Sequence, residues 1–328
     1  MRVAVYLEKS PVRGGIEVFA ERHIARLRSE GREVELWNAF PGRERKEALK
    51  EADEIIVHKC SDVKTLEMFP PEKTVYYVHD HEPICPRTYA YTPFGNNCTR
   101  AGGVWPCLFC APACRAWKAA LMRVFTQSRR KKAMSRFRKI VVISGFMKSR
   151  LVANGLDAAK IEVEPPVMEN AGAGLDGRSC QSAVDLLYVG QLIRGKGVQL
   201  LLEAMGLMKT RRTLDIVGAG NMEPKLKTLA ATLGLADRVR FNGFQADPQE
   251  WMRRAACVVV PSFWQEPYGL VAAEAVALGR PVVAFAVGGL PEACGGKATL
   301  VPPGDVKALA AALDSMNRLD DKERIQRP

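Results

Sequence analysis

The feature that most constrains the fold is a repeated alternation between short apolar runs rich in Val and Ile and longer segments with helical periodicity. Near-continuous apolar strands separated by helices indicate parallel sheets covered on both faces, with right-handed crossovers. The sequence therefore predicts an α/β fold built from doubly wound parallel sheets. The candidate strands lie at residues 3–7, 33–37, 54–58, 74–79, 139–144, 184–189, 214–217, 239–242, 257–261 and 281–284.

A break in this alternation divides the chain of 328 residues. Residues 165–182 are rich in Gly, Pro and Ser and carry no periodicity, which is typical of a linker. The alternation then restarts, so we expect two Rossmann-like domains, at residues 1–170 and 171–328. Within the first domain, residues 80–115 fit neither period, and so long a loop inside a compact domain is usually functional.

Charge is distributed unevenly along the chain. The net charge is +12, and the 74 residues between Glu82 and Asp157 contain 14 Lys and Arg but no acidic residue. A one-signed stretch of this kind indicates an anionic partner, which is a nucleic acid, an anionic membrane or a phosphorylated substrate. The alternative is a cationic face that only water contacts.

The expected cellular location follows from the lack of a membrane-spanning segment and of a signal peptide in this sequence. No apolar run approaches the roughly 18 residues that a membrane span needs, and Glu8 interrupts the first stretch before a signal peptide could form. We expect a cytoplasmic protein, in which disulfides are disfavoured among the nine cysteines.

The strongest candidate for a chemical site is the segment PSFWQEPYGLVAAE, residues 261–274. It follows an apolar strand, and a proline suits the first turn of a helix that we expect near position 267 or 268. The first N–H groups of that helix would form an anion site, and the carboxylates of Glu266 and Glu274 could bind hydroxyls on either side of a phosphate. The alternative is an ordinary helix with an acidic first turn. The expected N–H donors are Tyr268, Gly269 and Leu270.

A second candidate is the strand end YVGQLIRGKG, residues 188–197. Two cations, Arg194 and Lys196, follow the strand and Gly190, and this arrangement suits a diphosphate. The alternative is a basic turn exposed to water.

Two further strand ends lie in the first half of the chain. Gly14 and Gly15 follow the first strand and precede a helix, which allows a ligand to approach the backbone. His79 and His81 lie at the end of the fourth strand, where an imidazole can bind a metal, transfer a proton or donate to a hydroxyl. The alternative for a histidine at a strand end is a structural hydrogen bond.

Taken together, these segments resemble the family-4 retaining glycosyltransferases, which have the GT-B architecture. The stretch from Glu266 to Glu274 matches the E-x7-E motif of that family, between CVVVPS and AVALGRPVVA. The Gly14-Gly15 loop, the strand ending at His79 and the segments VVIS, VGAG, VRFNG and VGGLPE match as well. The resemblance covers most of the chain.

The resemblance implies two Rossmann-like domains that face each other across a cleft. It implies transfer of a sugar from a nucleoside diphosphate sugar to a lipid-linked or polysaccharide acceptor, with retention of the anomeric configuration, as in synthesis of the bacterial cell envelope. No metal or other cofactor is then required, because cations and helix N–H groups supply the charge that the leaving diphosphate needs.

The resemblance also implies a role for each matched residue. Glu266 would bind hydroxyls of the donor sugar and Glu274 those of the ribose, while Lys196, with Arg194, would neutralise the diphosphate. His79 would contact the sugar near the reacting carbon. The main chain at Gly243 and Phe244 would face the nucleobase. The other implied donor-binding positions are Gly14, Gly15, Gly190, Tyr268, Gly269 and Leu270.

The sequence departs from the family at Gln191, where an Arg usually follows the glycine directly. Arg194 could replace that Arg, since its side chain is long. This departure, together with a carboxyl-terminal region shorter than is usual in the family, leaves open a donor-binding subunit that does not catalyse transfer.

Other functions stay open from the residues alone. A sugar-nucleotide epimerase would use the same architecture. A nucleic-acid-binding or membrane-binding protein would account for the basic charge. Aromatic residues make up only 7% of the chain and no nucleic-acid-binding motif occurs, so a nucleic acid is the partner that we expect least.

The long loop carries Cys85 and a second group of cysteines. That group contains one C-x2-C pair, which is compatible with a structural Zn²⁺ although two such pairs would indicate it more strongly. Free thiols, or disulfides formed under oxidation, are the alternative. The candidate ligands are Cys98, Cys107, Cys110 and Cys114.

Residues 115–139 have helical periodicity, with many basic residues that include positions 129–132. The expected apolar face consists of Trp117, Leu121, Val124 and Phe125. This pattern is typical of a basic amphipathic helix at a membrane surface, and it predicts a protein held at the inner face of the cytoplasmic membrane. The alternative is a core helix with a solvated basic face.

Overall fold

A computed structural model describes residues 1–8, 14–37, 44–92, 97–102, 104–111, 117–168 and 184–316. The chain divides into two compact units, Met1–Pro166 and Val167–Pro328. Each unit contains one six-stranded sheet in which every paired strand runs parallel to its neighbours. The predicted α/β class with doubly wound parallel sheets is therefore confirmed.

The sheet of the first unit has the strand order β2-β1-β3-β4-β5-β6. Strand β4 is buried along its whole length, as expected for a central strand covered on both faces. The elements in chain order are β1 (Arg2–Tyr6), α1 (Gly15–Ser29), β2 (Glu33–Leu36), α2 (Glu44–Glu51), β3 (Glu54–Val57), α3 (Val63–Met68), β4 (Thr74–Val78), α4 (Val104–Leu108), α5 (Trp117–Arg136), β5 (Lys139–Val142), α6 (Gly145–Val152) and β6 (Ile161–Val163).

The sheet of the second unit has the order β12-β11-β10-β7-β8-β9. Its central strand β10 is also buried throughout. The elements are β7 (Val184–Val189), α7 (Val198–Leu207), β8 (Leu214–Val217), α8 (Glu223–Thr232), β9 (Val239–Phe241), α9 (Pro248–Arg254), β10 (Ala255–Val260), α10 (Leu270–Ala277), β11 (Val282–Phe285), α11 (Leu290–Cys294), β12 (Thr299–Val301) and α12 (Val306–Ser315).

Several helices begin at a side chain that accepts a backbone hydrogen bond. Asp62, Ser144, Asp247 and Asp305 precede α3, α6, α9 and α12, and each accepts from an N–H group in the first turn. Such caps satisfy donors that have no partner within the helix. They fix where each helix begins relative to the strand end before it, and therefore where the connecting loops lie.

All ten predicted strands are present, and the structure adds two that the sequence analysis did not predict. Strands β6 and β12 have three residues each and lie at the edges of their sheets. The predicted linker at residues 165–182 falls mostly outside the described residues.

Candidate active site

The loops that follow strands β7 and β10 meet at the carboxyl edge of the second sheet. From β7 the chain proceeds through β8 to β9 on one side, and it then returns to the other side of β7 as β10. Ligands of open parallel sheets bind at such a reversal of strand order, outside the carboxyl ends of the strands. The loop after β7 carries Lys196 and the loop after β10 carries Glu266, so the topology brings these two residues together.

Glu266 is a buried carboxylate that accepts three hydrogen bonds on one oxygen. Its Oε1 accepts from Nζ of Lys196 at 2.6 Å, from Oγ of Ser262 at 2.7 Å and from Nε1 of Trp264 at 2.8 Å. Burial alone would raise the pKa of Glu266, but the Lys196 ammonium and the two other donors outweigh burial, so the pKa lies below its usual value. The side chain is therefore ionised and fixed in one orientation at neutral pH.

Close backbone packing holds Lys196 beside the second loop. Residues 194–196 form one 3-10 turn, and the backbone N–H of Phe263 donates to the carbonyl oxygen of Gly195 at 3.2 Å. Gly197 has φ +74°, and a Cβ at that position would overlap the carbonyl oxygen of Pro261. The Lys196 ammonium also lies 5.2 Å from the centre of the Trp264 ring. Only glycine at 197 therefore permits this approach of the two loops.

The loop after β11 fixes the backbone of Glu266 from another direction. The N–H of Gly289 donates to the carbonyl oxygen of Glu266 at 2.8 Å. A Cβ at Gly288, whose φ is +61°, would overlap that same oxygen, and a Cβ at Gly289 would lie 2.6 Å from the carbonyl oxygen of Pro267. Three strand ends thus contribute to one rigid site.

The helix after Glu266 begins later than the sequence predicts. Helix α10 begins at Leu270, with Gly269 as its cap at φ +114°, and Tyr268 lies before it in a mostly buried position. A Cβ at Gly269 would overlap the side chain of Leu290 in α11, so the chain reaches a helical conformation only after this glycine. The expectation that Tyr268 supplies a helix N–H group is therefore wrong, whereas Leu270 does supply one. Glu274 is half-buried in the second turn of the helix.

The other predicted residues of the second unit follow strands at the same edge. Gly190 follows β7 at φ +150°, and Arg194 is exposed in the turn beside Lys196. Gly243 follows β9 and accepts a hydrogen bond from the N–H of Gly218 at 2.7 Å, which ties the ends of β8 and β9 together. Phe244 is 70% exposed.

In the first unit, Gly14 and Gly15 lie at the beginning of helix α1. Gly14 is its cap, and Gly15 is its first residue. The carboxylate of Glu17 accepts from the N–H of Gly14 at 2.9 Å, so this donor already has a partner.

His79 directly follows β4, and its Nε2 lies 3.0 Å from Nδ1 of His58, which directly follows β3. Burial and the neighbouring His23 and Lys59 lower the pKa of His79 to about 3. The predicted strand-end position of His79 is confirmed, and the ring is neutral at physiological pH. Next to it, burial and Glu82 raise the pKa of Asp80 to about 6.

The cysteines of the long loop form no recognisable metal centre within the described part of the chain. There, no three His, Cys, Asp or Glu side chains are arranged to hold a metal ion. The structure records no disulfide for Cys85, Cys98, Cys107 or Cys110. Burial raises the pKa of Cys85. Cys114, the fourth predicted zinc ligand, lies outside the described residues.

Helix α5 is present, but its buried face differs from the predicted one. Val124 is buried, whereas Trp117 and Phe125, assigned to the same apolar face, are exposed. Arg130, expected at the surface, is 3% exposed and donates to the carbonyl oxygens of Cys60, at 2.8 Å, and Ser61. Residues 129–132 therefore do not all lie on the basic face that the amphipathic pattern predicts, because the helix turns Arg130 into the protein.

The same region exposes five large apolar side chains, which we call the apolar patch. They lie on α4, in the turn after it and in the first half of α5, and these two helices contact each other. Their exposed fractions run from 46% for Trp117 to 83% for Phe109. The members are Trp105, Phe109, Trp117, Met122 and Phe125. Several large apolar side chains exposed on neighbouring helices are typical of an interaction site.

The sequence analysis missed four residues that the structure places at these sites. Ser262 and Trp264 donate hydrogen bonds to Glu266. His58 lies beside His79, and His23 lies beside His58. The signal for Ser262 and Trp264 was their position in the loop between a buried strand and Glu266. For His58, the signal was a histidine at the end of a neighbouring strand.

Comparison with known proteins finds a family model that matches the second unit. Residues 183–318 match the family model described as Glycosyl transferases group 1. The chain is 38% identical over 191 residues to a D-inositol 3-phosphate glycosyltransferase of Frankia alni, and this match covers 54% of the chain and 44% of that relative. It is 41% identical over 110 residues to an uncharacterized glycosyltransferase of Methanocaldococcus jannaschii, covering 33% and 28%. The matches thus span less than half of these relatives' length.

Solved structures share the fold over nearly the whole chain. HepE of Anabaena in complex with UDP superposes with a TM-score of 0.68 at 18% identity, covering 99% of this chain and 91% of HepE. WaaG, a glycosyltransferase involved in lipopolysaccharide biosynthesis, superposes with a TM-score of 0.62 at 17% identity, covering 98% and 92%. The fold is therefore the GT-B fold of these glycosyltransferases.

Proposed function

Because residues 183–318 match the family model described as Glycosyl transferases group 1, we propose that this protein transfers a sugar from a nucleoside diphosphate sugar to an acceptor, with retention of the anomeric configuration. The observation that carries the proposal is the Glu266 carboxylate, buried and fixed through Oε1 by Lys196 at the reversal of strand order. Crystal structures of the neighbour HepE with UDP and with UDP-glucose support a donor of this class.

The geometry suits the chemistry of such a donor. With Oε1 held by three donors, the other carboxylate oxygen of Glu266 would accept from sugar hydroxyls. The leaving group is a nucleoside diphosphate, whose growing negative charge is stabilised by preorganised cations and N–H dipoles. Lys196, Arg194 and the first N–H groups of α10 would supply these.

The remaining predicted residues receive supporting roles in the same proposal. Glu274 would bind the ribose, and the main chain at Gly243 and Phe244 would contact the nucleobase. In the first unit, His79 would contact a substrate hydroxyl, and the loop at Gly14 and Gly15 would lie against substrate. Donor binding is thus assigned to the second unit and acceptor binding to the first.

A lipid-linked acceptor at an anionic membrane is the second part of the proposal. The apolar patch would enter the lipid interface, where aromatic side chains are favoured. The stretch of 74 residues without an acidic residue surrounds this patch in sequence, and Lys118, Lys132 and Arg136 are exposed on the same helix α5. Such charge complements anionic headgroups. None of the helices in the described ranges has the length and apolar character to cross a membrane.

The first experiment measures thermal melting in the presence of UDP, GDP, ADP, dTDP or inorganic phosphate. A ligand that binds only the folded protein at 100 times its Kd adds about 2.7 kcal/mol of stability, so one diphosphate should raise Tm by several degrees. If no diphosphate changes Tm, the donor site is contradicted. A rise in Tm without sugar transfer to any acceptor would favour the non-catalytic subunit, which the departure at Gln191 motivates.

The second experiment compares Glu266→Gln with Glu250→Gln, an exposed glutamate in α9 that serves as the matched control. We expect Glu266→Gln to lower kcat by about 100-fold or more, with Glu250→Gln unchanged. Full activity in Glu266→Gln would contradict the assignment of this carboxylate.

The third experiment measures binding to phosphatidylglycerol and phosphatidylcholine vesicles. The Trp105→Ser/Phe109→Ser double variant should bind phosphatidylglycerol at least about tenfold more weakly, because each buried aromatic side chain contributes about 1.5–3 kcal/mol. Leu207→Ser removes an exposed apolar side chain from the second unit and should not change binding. High salt should weaken binding of all three proteins. If the double variant binds as the wild type does, the apolar patch is not the membrane surface.

A further inference from the structure

Three of the four histidines of the chain form one hydrogen-bonded line in the first unit, which we call the histidine row. Nδ1 of His23 lies 3.1 Å from Nε2 of His58, and Nδ1 of His58 lies 3.0 Å from Nε2 of His79. His58 is fully buried and His23 is 6% exposed. The middle ring thus uses both of its nitrogens on other imidazoles.

The fold explains why these rings meet. Strands β3 and β4 are parallel neighbours, and Val57 is paired with Tyr76. His58 is therefore level with Tyr77, and His79, two positions beyond Tyr77, lies on the same face of the sheet as Tyr77. His23 comes from helix α1, which covers the sheet. The Tyr77 ring packs 4.8 Å from His58 and 4.9 Å from His23, and the Phe19 ring packs 4.9 Å from His79. This packing leaves the three rings little freedom to rotate.

The rings are neutral at physiological pH. Burial lowers the pKa of His23 to about 4, and it lowers the pKa of His58 well below its usual range. As for His79, the apolar surroundings disfavour the charged, doubly protonated form of each ring. The charged groups around the row are Lys59 near His79, and Arg26, Arg32, Glu30 and Glu164 near His23.

Neutrality links the three rings to one another. A neutral imidazole has one N–H and one bare nitrogen, so His58 must donate to one neighbour and accept from the other. Either all three protons are on Nδ1, and Nδ1 of His79 is a donor, or all three are on Nε2, and Nδ1 of His79 is an acceptor. The state of the outermost nitrogen is therefore determined by rings that lie deeper in the protein.

We propose that the histidine row is a single proton-transfer unit in which His58 and His23 are positioning residues that set whether Nδ1 of His79 donates or accepts a hydrogen bond. When the row changes from the second arrangement to the first, Nδ1 of His79 takes a proton from water. Nε2 of His79 then passes its proton to His58, His58 passes one to His23, and Nε2 of His23 releases one to water. No ring is charged before or after the change. That the hydroxyl facing His79 belongs to a sugar rests on the proposed function.

The direct test is the tautomeric state of each ring, measured by two-dimensional 15N–1H NMR of the full chain with 15N-labelled histidine. His81, which is not a member of the row, is the internal reference. We expect His23, His58 and His79 to share one tautomer and to remain neutral down to about pH 5. Different tautomers within the row, or titration of any of its rings near pH 6.5, would overturn the proposal.

The functional test compares His58→Gln with His58→Phe. Glutamine can accept from one neighbour and donate to the other but cannot pass a proton through, whereas phenylalanine keeps the ring packing and makes no hydrogen bond. His58→Phe should lower kcat by about tenfold or more without changing KM for the donor, and His58→Gln should recover part of that loss. Full kcat in His58→Phe would overturn the positioning role. If the wild type transfers no sugar, the proposed function fails, but the NMR result still decides on the row.

Discussion

Substituting Lys196 by methionine tests the charge pair of the site through stability alone. Glu266 is almost fully buried, whereas the side chain of Lys196 is 24% exposed. Breaking a buried ion pair from one side costs about 3–5 kcal/mol. Because Ser262 and Trp264 still donate to the carboxylate, we expect Lys196→Met to cost about 3 kcal/mol at pH 7. In the reverse variant, Glu266→Gln, Lys196 can turn toward water, so we expect a cost of about 1 kcal/mol.

The pH dependence makes this prediction specific. In the wild type the pKa of Glu266 lies below its usual value, so the stability due to the pair is complete at neutral pH and is lost as pH falls below about 4.3. In Lys196→Met, burial is no longer opposed by a cation and raises the pKa. The unfolded chain then ionises first, and stability falls as pH rises above about 4.3. The cost of Lys196→Met should therefore grow between pH 4 and pH 7, by at most about 1.4 kcal/mol per pH unit.

The assay is thermal unfolding of the wild type, both single variants and the double variant at several pH values. A cost of about 3 kcal/mol lowers Tm by roughly 6–12 °C for a unit of this size. The Glu266→Gln/Lys196→Met double variant has no carboxylate at this site and should lose the pH dependence. A cost for Lys196→Met that stays constant from pH 4 to 7 would refute the reasoning, because it would mean that Glu266 does not depend on Lys196 for its charge.

Three further substitutions test the close packing at Gly197, the burial of Arg130 and the neutrality of the histidine row. Gly197→Ala should lower the free energy of unfolding by at least about 3 kcal/mol, because the new Cβ overlaps a carbonyl oxygen. The control Gly234→Ala has a similar φ of +67° but open space around it, and it should cost about 1 kcal/mol. Both values are measured from thermal melting curves. Arg130→Met should cost more than about 2 kcal/mol by leaving two carbonyl oxygens without their donor, while Arg129→Met should leave Tm unchanged because Arg129 is exposed. The stability of the wild type should fall as pH drops below about 6.5, because histidines that stay neutral in the folded protein are protonated in the unfolded chain. His58→Phe should reduce the slope of stability against pH by up to about 1.4 kcal/mol per pH unit, measured by urea unfolding.

The sequence predicts the strands of this fold well wherever helices cover both faces of the sheet. Runs such as those in β4 and β10 are apolar at nearly every position because helices cover both faces of the sheet. Strands β6 and β12 escaped prediction because three residues at a sheet edge carry too few apolar positions to show a period. Each of these strands forms only because a neighbouring strand supplies its hydrogen bonds. A local sequence pattern contains no information about that neighbour.

Helix α5 shows where periodicity misleads. Its apolar residues suggest one face, but the buried positions include Gln127 and Arg130, because the loop after β3 presents carbonyl oxygens to this side of the helix. A long basic side chain that binds carbonyl oxygens can occupy a buried position, and its apolar stem packs there as well. The sequence therefore predicts the helix itself but not the rotation of the helix about its axis.

The chemical groups of the candidate site could be predicted from the sequence, but their partners could not. Lys196 and Glu266 are 70 positions apart, and their contact follows from the pairing of β7 with β10. That three donors converge on a single oxygen of Glu266 depends on loop geometry, to which Gly197 and Gly288 contribute by allowing close approach. Sequence patterns identify residues that can do chemistry, whereas sheet order determines which of them meet.

The same argument explains why both units contain pairs of interacting polar residues beyond strand ends. A parallel sheet places the carboxyl ends of all its strands at one edge, so polar residues that directly follow adjacent strands become neighbours whatever their separation in sequence. Lys196 and Glu266, in the loops after β7 and β10, meet at such an edge, and so do His58 and His79, which directly follow β3 and β4. Once such residues are buried, each depends on its neighbour for its protonation state. A substitution at one strand end should therefore change the pKa of the residue at the adjacent strand end. We expect that change to be measurable before any change in activity is interpreted.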